Sequence, residues 1–257
     1  EELYSRTGIQ KQSFNTIYQL MAVKKNNPEH LKAAKNFLML PDYFHFLLTG
    51  QKCSEYTNAT STQLINAQTN DWDRELIERL GYPQEMFLPL SQPGTLVGSF
   101  TKEIEEEVGF SCEVVLPATH DTGSAVMAVP GEGDKNLYIS SGTWSLMGIE
   151  NKTAICTEES RKRNFTNEGG YEYRYRYLKN IMGLWMIQSV RKELENKYSF
   201  AELCAMASRR SDFPSRVDVN DPVFLAPDSM IRAIREMCAK TGHPVPETPD
   251  ELAAVVY

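Results

Sequence analysis

The residues Glu113-Val114-Val115-Leu116-Pro117-Ala118-Thr119-His120-Asp121-Thr122-Gly123-Ser124 pass from an apolar run into a group of small polar residues. The apolar run predicts a buried strand over residues 113–118. Residues 125–129 are small and apolar and predict a helix. Asp121 is therefore expected where a strand leads into a helix N-terminus. That position favours an ionised carboxylate, and ligand sites of α/β sheets lie at strand ends.

The chain before this run is predicted to be largely helical. Apolar residues at helical spacing predict helices over residues 14–21 and 31–38, and turn or cap residues predict two more over 41–49 and 72–80. Residues 55–63 are polar and uncharged apart from Glu55. Their hydroxyls and amides suit a loop lining a polar cleft, or a capping loop with local side-chain to backbone bonds.

Residues 130–134, Pro-Gly-Glu-Gly-Asp, predict a linker, and we place a domain boundary between residues 130 and 131. Two strands are predicted after it, joined by the turn Ser140-Ser141-Gly142-Thr143. A turn of glycine and small hydroxyl residues can hold a phosphate through backbone N–H groups. The same composition also suits an ordinary turn.

Residues 171–177 alternate tyrosine with charged residues, which predicts a strand with the tyrosines on one face and the charges on the other. Interleaved Tyr and Arg could also stack nucleic-acid bases. An amphipathic helix with Asn180 at its start and Gln188 two turns on is predicted next. Near the end, Thr248-Pro249-Asp250-Glu251 predicts a helix N-terminus.

Composition excludes several classes of protein. Of the 257 residues, 41% are hydrophobic and 24% charged, as in globular proteins, and the net charge of −7 gives no basic surface for nucleic acid. No uncharged window is long enough to cross a bilayer. The five cysteines are widely spaced and never form CxxC, which argues against a disulfide framework and a structural zinc site. We therefore expect a cytoplasmic protein with no nucleic-acid or membrane partner.

Two enzyme classes are disfavoured by the motifs. A dinuclear metal phosphohydrolase needs more His and Asp ligands than one His-Asp pair, and the chain has four histidines in total. The P-loop spacing GxxxxGK[ST] is absent, and no GxGxxG follows a predicted strand. Metal-dependent phosphate hydrolysis and P-loop chemistry are therefore not expected.

Eight segments together resemble the FGGY family of carbohydrate kinases, and the resemblance spans nearly the whole chain. They are residues 14–20 (FNTIYQL), 40–44 (LPDYF), 48–50 (LTG), 55–60 (EYTNAT), 120–122 (HDT), 140–148 (SSGTWSLMG), 166–170 (TNEGG) and 180–185 (NIMGLW). The resemblance implies an α/β fold of the ribonuclease H-like, actin-like ATPase type. It implies two domains, residues 1–130 and 131–257, with sugar and ATP between them.

By the same resemblance, Asp121 matches the catalytic base, and His120, Asp121 and Thr122 match the sugar-contacting triplet. Asn180 resembles a sugar contact, and Thr143 and Gln188 resemble ATP contacts. Mg²⁺ is expected to bridge the nucleotide phosphates, with no residue of this chain assigned as its ligand. The acceptor is expected to be the 1-hydroxyl of a ketose, L-rhamnulose first, with L-fuculose or xylulose as alternatives. A non-catalytic sugar-binding protein on this fold is the alternative from another class.

The resemblance also implies two missing parts. Family members begin with a phosphate-binding hairpin and end with a glycine-rich adenosine motif, and neither occurs in these 257 residues. We therefore expect a fold incomplete at both ends and little or no kinase activity from the isolated chain. For the protein as a whole we expect a monomer or weak homodimer.

Overall fold

Helices and short strands alternate along the chain in this computed structural model, which describes residues 1–130, 136–142 and 144–257. The chain divides into two compact units. The first comprises Glu1–Tyr138 and Gly148–Lys179, and the second comprises Ile139–Met147 and Asn180–Tyr257. Most of the linker predicted at residues 130–134 lies outside the described residues, so the domain boundary at 130/131 stays a prediction.

The first unit contains nine α-helices among its described residues. They are α1 (Glu2–Thr7), α2 (Thr16–Asn26), α3 (Pro28–Ala33), α4 (Leu40–Thr49), α5 (Tyr56–Thr60), α6 (Arg74–Leu80), α7 (Lys102–Val108), α8 (Asp121–Met127) and α9 (Glu158–Lys162). Two 3-10 helices, Gln84–Met86 and Tyr171–Tyr173, accompany them. Helix α4 ends as predicted, with Gly50 as a left-handed C-cap.

The strands are short and form four sheets in the described part of the chain. They are β1 (Ser54–Glu55), β2 (Ile65–Asn66), β3 (Asp71–Trp72), β4 (Leu90–Ser91), β5 (Leu96–Ser99), β6 (Glu113–Val115), β7 (Leu137–Ser141), β8 (Trp144–Asn151), β9 (Phe165–Gly169) and β10 (Tyr175–Met182). Strands β1 and β4 pair in parallel, and β2 with β3 and β5 with β6 pair antiparallel. The largest sheet has the order β7-β8-β10-β9.

A core of aromatic and aliphatic side chains fixes the helices of the first unit. Tyr56, Leu64 and Ile77 are fully buried in it, and Trp72 and Met86 are nearly so. Helices α2, α3, α5 and α6 all contribute side chains to this core. Burial of large apolar side chains contributes about 1.5–3 kcal/mol each, so this core stabilises the packing of these four helices.

The second unit is helical beyond the strand segments that enter it. Its elements are α10 (Trp185–Glu193), α11 (Phe200–Arg209), a 3-10 helix (Pro222–Phe224), α12 (Met230–Lys240) and α13 (Pro249–Val256). Their apolar faces share one core around Val190, Leu203 and Ile234. The predicted helix start at Thr248 is confirmed: Thr248 and Glu251 form a capping box.

Three helices predicted before residue 81 begin or end elsewhere. Helix α2 runs over Thr16–Asn26 rather than residues 14–21, with Asn15 as its N-cap. Helix α3 ends at Ala33 rather than Leu38, because Phe37 N donates to Met86 O (2.8 Å) and Phe37 forms a parallel bridge with Phe87. Helix α6 begins at Arg74 rather than residue 72, because Asp73 is its N-cap and accepts from Leu76 N.

The buried strand predicted over residues 113–118 is shorter and more exposed than expected. Strand β6 ends at Val115, whose side chain is half exposed, because β6 has only β5 beside it and Pro117 lacks a backbone N–H. Leu116 and Ala118 are buried in the loop that follows. Helix α8 begins at Asp121, so the predicted helix N-terminus is confirmed.

The polar and alternating segments also differ from expectation. Residues 56–60 form helix α5, and the hydroxyls of Thr60, Ser61 and Thr62 donate to carbonyls three residues back, so local capping describes this segment. Residues 171–173 form a 3-10 helix, and the strand begins only at Tyr175. Asn180 lies in β10, not at a helix start, because α10 begins at Trp185.

Within the described residues, every helix is too short or too polar to cross a lipid bilayer.

Candidate active site

Asp121 is the first residue of helix α8, and its side chain is exposed. His120 is the N-cap residue, and Asp121 Oδ1 accepts a hydrogen bond from Thr122 N (2.6 Å). The unpaired N–H groups at a helix N-terminus favour a negative charge there. Asp121 is thus an exposed carboxylate at the N-terminus of α8.

The loop before Asp121 is held by Glu55, a fully buried carboxylate. Glu55 Oε2 accepts from both Thr119 N (3.0 Å) and Thr119 Oγ1 (2.7 Å). Glu55 is also the N-cap of α5 and accepts from Thr57 N, Thr57 Oγ1 and Asn58 N. A buried carboxylate with this many donors is satisfied without a cationic partner. Glu55 therefore fixes the backbone two residues before Asp121.

Arg176, on strand β10, contacts the ring of His120. Its side chain is 1% exposed, and Nη2 lies 2.7 Å from His120 Nδ1 and donates to Gly169 O (3.3 Å). Arg176 Nη1 lies 3.2 Å from Glu168 Oε2, which balances the buried charge. Glu168 Oε2 also lies 3.5 Å from His120 Nδ1. The three side chains form one cluster, in which Arg176 and Glu168 are the ion pair, and we call it the Arg176 group.

Burial and the contact with Arg176 determine the protonation of His120. A guanidinium has only donors, so His120 Nδ1 must accept and the ring proton lies on Nε2. Burial is the largest cause that lowers the pKa of His120; Glu168 opposes it and Arg176 adds to it. His120 is therefore a neutral imidazole with an Nε2–H donor next to the Asp121 carboxylate.

Two of the residues predicted to bind ligands lie in the second unit. Asn180 is part of β10 and is half-buried. Gln188 lies on α10 and lines a cavity of about 540 Å³ together with Trp185, Lys192 and Asp228. Thr143, the other predicted ATP contact, lies outside the described residues.

The start of α10 is tied to the predicted turn after β7. Leu184 N donates to Gly142 O (3.0 Å). A Cβ at Gly183 would lie 2.6 Å from Gly142 O and 2.8 Å from Ser145 N, so only glycine permits this approach. Close packing against the turn therefore explains why residue 183 is a glycine.

The N-terminus of α8 carries the consecutive residues His120, Asp121 and Thr122, at the helix start that the sequence predicted. Glu55, Glu168 and Arg176 were missed as parts of this site. Glu55 is the sole charge in residues 55–63, which was an available signal. Arg176 gave no such signal, because its alternation with tyrosines showed only that the charges lie on the opposite face of the strand.

The fold is that of known sugar kinases. The ligand-bound xylulose kinase from Lactobacillus acidophilus has a similar structure, with a TM-score of 0.77 and 17% sequence identity. The similarity covers 99% of this chain and 52% of that chain. The predicted class, an α/β protein with the actin-like ATPase fold of carbohydrate kinases, is confirmed.

Family models define the class further. The model described as the FGGY family of carbohydrate kinases, N-terminal domain, matches residues 1–128, and the C-terminal domain model matches residues 137–257. The chain belongs to the FGGY family of carbohydrate kinases.

Its similarity to individual relatives is high. The chain is 57% identical over 257 residues to the rhamnulokinase of Halalkalibacterium halodurans, of which it covers 55%. It is 53% identical over 257 residues to the rhamnulokinase of Oceanobacillus iheyensis, of which it covers 54%. The chain thus spans about half the length of these relatives.

Proposed function

We propose that this chain is part of an ATP-dependent kinase that transfers the γ-phosphoryl group of ATP to the 1-hydroxyl of L-rhamnulose. The product would be L-rhamnulose 1-phosphate, an intermediate of L-rhamnose degradation. The observation that carries the proposal is the exposed Asp121 carboxylate beside the neutral His120 ring. The identity to two rhamnulokinases supports the choice of sugar.

In the proposed reaction, Asp121 accepts the proton of the sugar 1-hydroxyl as that oxygen attacks the γ-phosphorus. The new O–P bond forms while the bond from the γ-phosphorus to the bridging oxygen breaks, and ADP leaves. General-base catalysis of this kind contributes about 10²–10⁴-fold to the rate.

His120 and Thr122 are proposed to orient the sugar. The Nε2–H of His120 donates to a sugar hydroxyl, and the Thr122 hydroxyl can donate or accept. Asn180 is proposed as a further sugar contact through its amide. Because Arg176 occupies Nδ1, the imidazole cannot turn this nitrogen to the ligand without breaking the 2.7 Å contact.

Thr143 and Gln188 are proposed as ATP contacts. The cavity beside Gln188 contains both Lys192 and Asp228, which gives donors and acceptors for a nucleotide. Mg²⁺ is proposed to accompany ATP, with none of the described residues assigned as its ligand. The one group of three close ligands found among them includes a thiol and an imidazole, which Mg²⁺ does not prefer. No step is therefore assigned to a metal held by this chain.

The proposal includes a cytoplasmic location, where ATP is available, and a monomer or weak homodimer without nucleic-acid or membrane partners. The cysteines support a reducing compartment, since they are odd in number and widely spaced along the sequence. Kinases for L-fuculose or xylulose and a non-catalytic sugar-binding protein are the other outcomes that the test must separate.

The test is a coupled assay of ADP formation by the full gene product that contains this chain, with a panel of ketoses. L-Rhamnulose should give the highest kcat/KM. Asp121→Asn should lower kcat at least about 100-fold while ketose binding persists. Asp250→Asn, at the first turn of α13, is the matched control and should leave turnover unchanged.

Three outcomes would contradict parts of the proposal. Turnover unchanged in Asp121→Asn removes its role as base. A preference for another ketose overturns the assigned sugar alone. Ketose binding without ADP formation in the full gene product would indicate a non-catalytic protein.

A further inference from the structure

Helix α4 and the segment before β1 bring three different metal-binding side chains together. Asp42 and His45 are three residues apart on α4 and so lie on the same helix face. Cys53 follows the turn at Gly50 and immediately precedes β1. One ligand atom from each residue lies within 4.8 Å of the other two.

Two polar atoms of this cluster are buried without a hydrogen-bond partner among the described residues. The Asp42 side chain is fully buried; its Oδ1 accepts from Glu55 N (3.2 Å), but its Oδ2 has no partner. His45 Nδ1 is likewise buried without a hydrogen-bond partner among the described residues. Buried polar groups in proteins are almost always partnered, and an unpartnered one indicates an absent ligand, ion or water.

We propose that Asp42, His45 and Cys53 form a binding site for a zinc ion, with the fourth position open to water. A thiolate, an imidazole and a carboxylate are the ligand types that Zn²⁺ takes, and three protein ligands plus water is a usual zinc arrangement. Cys53 makes the site unsuited to Mg²⁺ or Ca²⁺, which take oxygen ligands.

Charge supports this assignment. One thiolate and one carboxylate neutralise a divalent cation, so the occupied site carries no net charge in its buried surroundings. The backbone N–H of Glu55 donates to Asp42 Oδ1, and the fully buried carboxylate of Glu55 adds negative potential close by. The hydrogen bond from Glu55 N also orients the Asp42 carboxylate, as outer contacts of metal ligands commonly do.

The distances require only a small adjustment. Zn–S and Zn–N bonds of about 2.3 and 2.0 Å in a tetrahedron place ligand atoms about 3.5 Å apart. The three ligand atoms lie within 4.8 Å of one another, so they have to approach by about 1 Å to bind the ion. Cys53 is partly exposed, which gives an ion a path to the site.

The test measures Zn²⁺ and Co²⁺ binding to the chain as it exists. Equilibrium dialysis should find one equivalent of Zn²⁺, and Co²⁺ should give a thiolate-to-metal charge-transfer band. Cys53→Ser should abolish that band and weaken Zn²⁺ binding at least about tenfold. Cys112→Ser, which changes an exposed cysteine, should leave both unchanged.

A second variant separates folding from binding. His45→Gln should weaken Zn²⁺ binding while its circular dichroism matches that of the parent chain. Zn²⁺ should raise the Tm of the parent chain but not that of His45→Gln. The proposal is overturned if no stoichiometric binding occurs, or if Cys53→Ser and His45→Gln bind Zn²⁺ as tightly as the parent chain.

Discussion

Arg176 Nη2 lies 2.7 Å from His120 Nδ1, so a permanently charged side chain holds a neutral histidine in one tautomer. The arginine is 1% exposed, and its ionic partner is Glu168. The orientation of His120 therefore depends on a residue from strand β10 rather than on its own loop alone. We regard Arg176 as a positioning residue, since it acts through His120.

Replacement of Arg176 should be strongly destabilising. Arg176→Met leaves Glu168 without its buried partner, and we expect the free energy of unfolding to fall by about 3–5 kcal/mol in urea titrations. The double variant Arg176→Met with Glu168→Gln should recover part of this loss. Arg163→Met, which removes an exposed ion pair with Glu159, should change stability by less than about 0.5 kcal/mol. An Arg176→Met loss as small as that of Arg163→Met would contradict the role of the buried pair.

The protonation of His120 should make stability depend on pH. Its pKa is lowered in the folded chain, first by burial, so the unfolded chain binds more protons between the folded pKa and about 6.5. The contribution of His120 to the free energy of unfolding should thus be constant above about pH 6.5 and fall on acidification through that window. NMR titration of the His120 ring measures the folded pKa directly.

Controls for this pH dependence use two histidines. His120→Gln should reduce the decrease but not abolish it, because burial also lowers the pKa of His45, whereas His30→Gln, at an exposed histidine, should retain it in full. A His120 pKa at or above 6.5 in the folded chain would show that burial and Arg176 do not dominate its surroundings.

Glu55→Gln should disturb the loop that carries Asp121. Each oxygen of Glu55 accepts hydrogen bonds, and an amide would turn a donor NH₂ toward some of these N–H and O–H groups. We expect a loss of about 3 kcal/mol in unfolding free energy and weaker ketose binding by calorimetry. Glu106→Gln, at an exposed position of α7, is the control for loss of one charge. If the two variants were equally stable, the hydrogen bonds from Thr119 to Glu55 would not hold the loop in place.

Gly169→Ala should separate β9 from α5. A Cβ at this position would lie 2.5 Å from Thr60 Cγ2 and 2.8 Å from Tyr56 Cε1. Overpacking of this kind costs about 1–3 kcal/mol. Adding Thr60→Ser removes one clashing methyl group but keeps the hydroxyl that accepts from Gly169 N (3.0 Å), so thermal unfolding should show partial recovery. No recovery would indicate that Tyr56 alone limits the space.

Local signals in the sequence predicted much of the fold. The helix N-termini at Asp121 and Thr248 were predicted because capping and turn residues act within a few positions. The end of α3 at Ala33 was not, because it depends on a bridge between Phe37 and Phe87, fifty residues apart.

The candidate site was predicted where it is local and missed where it is not. His120, Asp121 and Thr122 are consecutive and follow a recognisable loop. Alternation along one strand places a charge on the opposite face from the tyrosines, but it does not show which face is buried. Arg176 is buried because Glu168 and His120 are present, and those contacts form only in the folded chain.

The bond from Thr119 to Glu55 joins positions 64 residues apart, and that from Arg176 to His120 joins positions 56 apart. Closing such loops costs chain entropy before any contact repays it, and non-local contacts slow folding. Asp121 therefore reaches its working geometry only after segments on both sides of it in the chain have docked. During synthesis, the contacts that hold the loop of residues 119–121 are complete only when β10 has emerged, well after Asp121 itself.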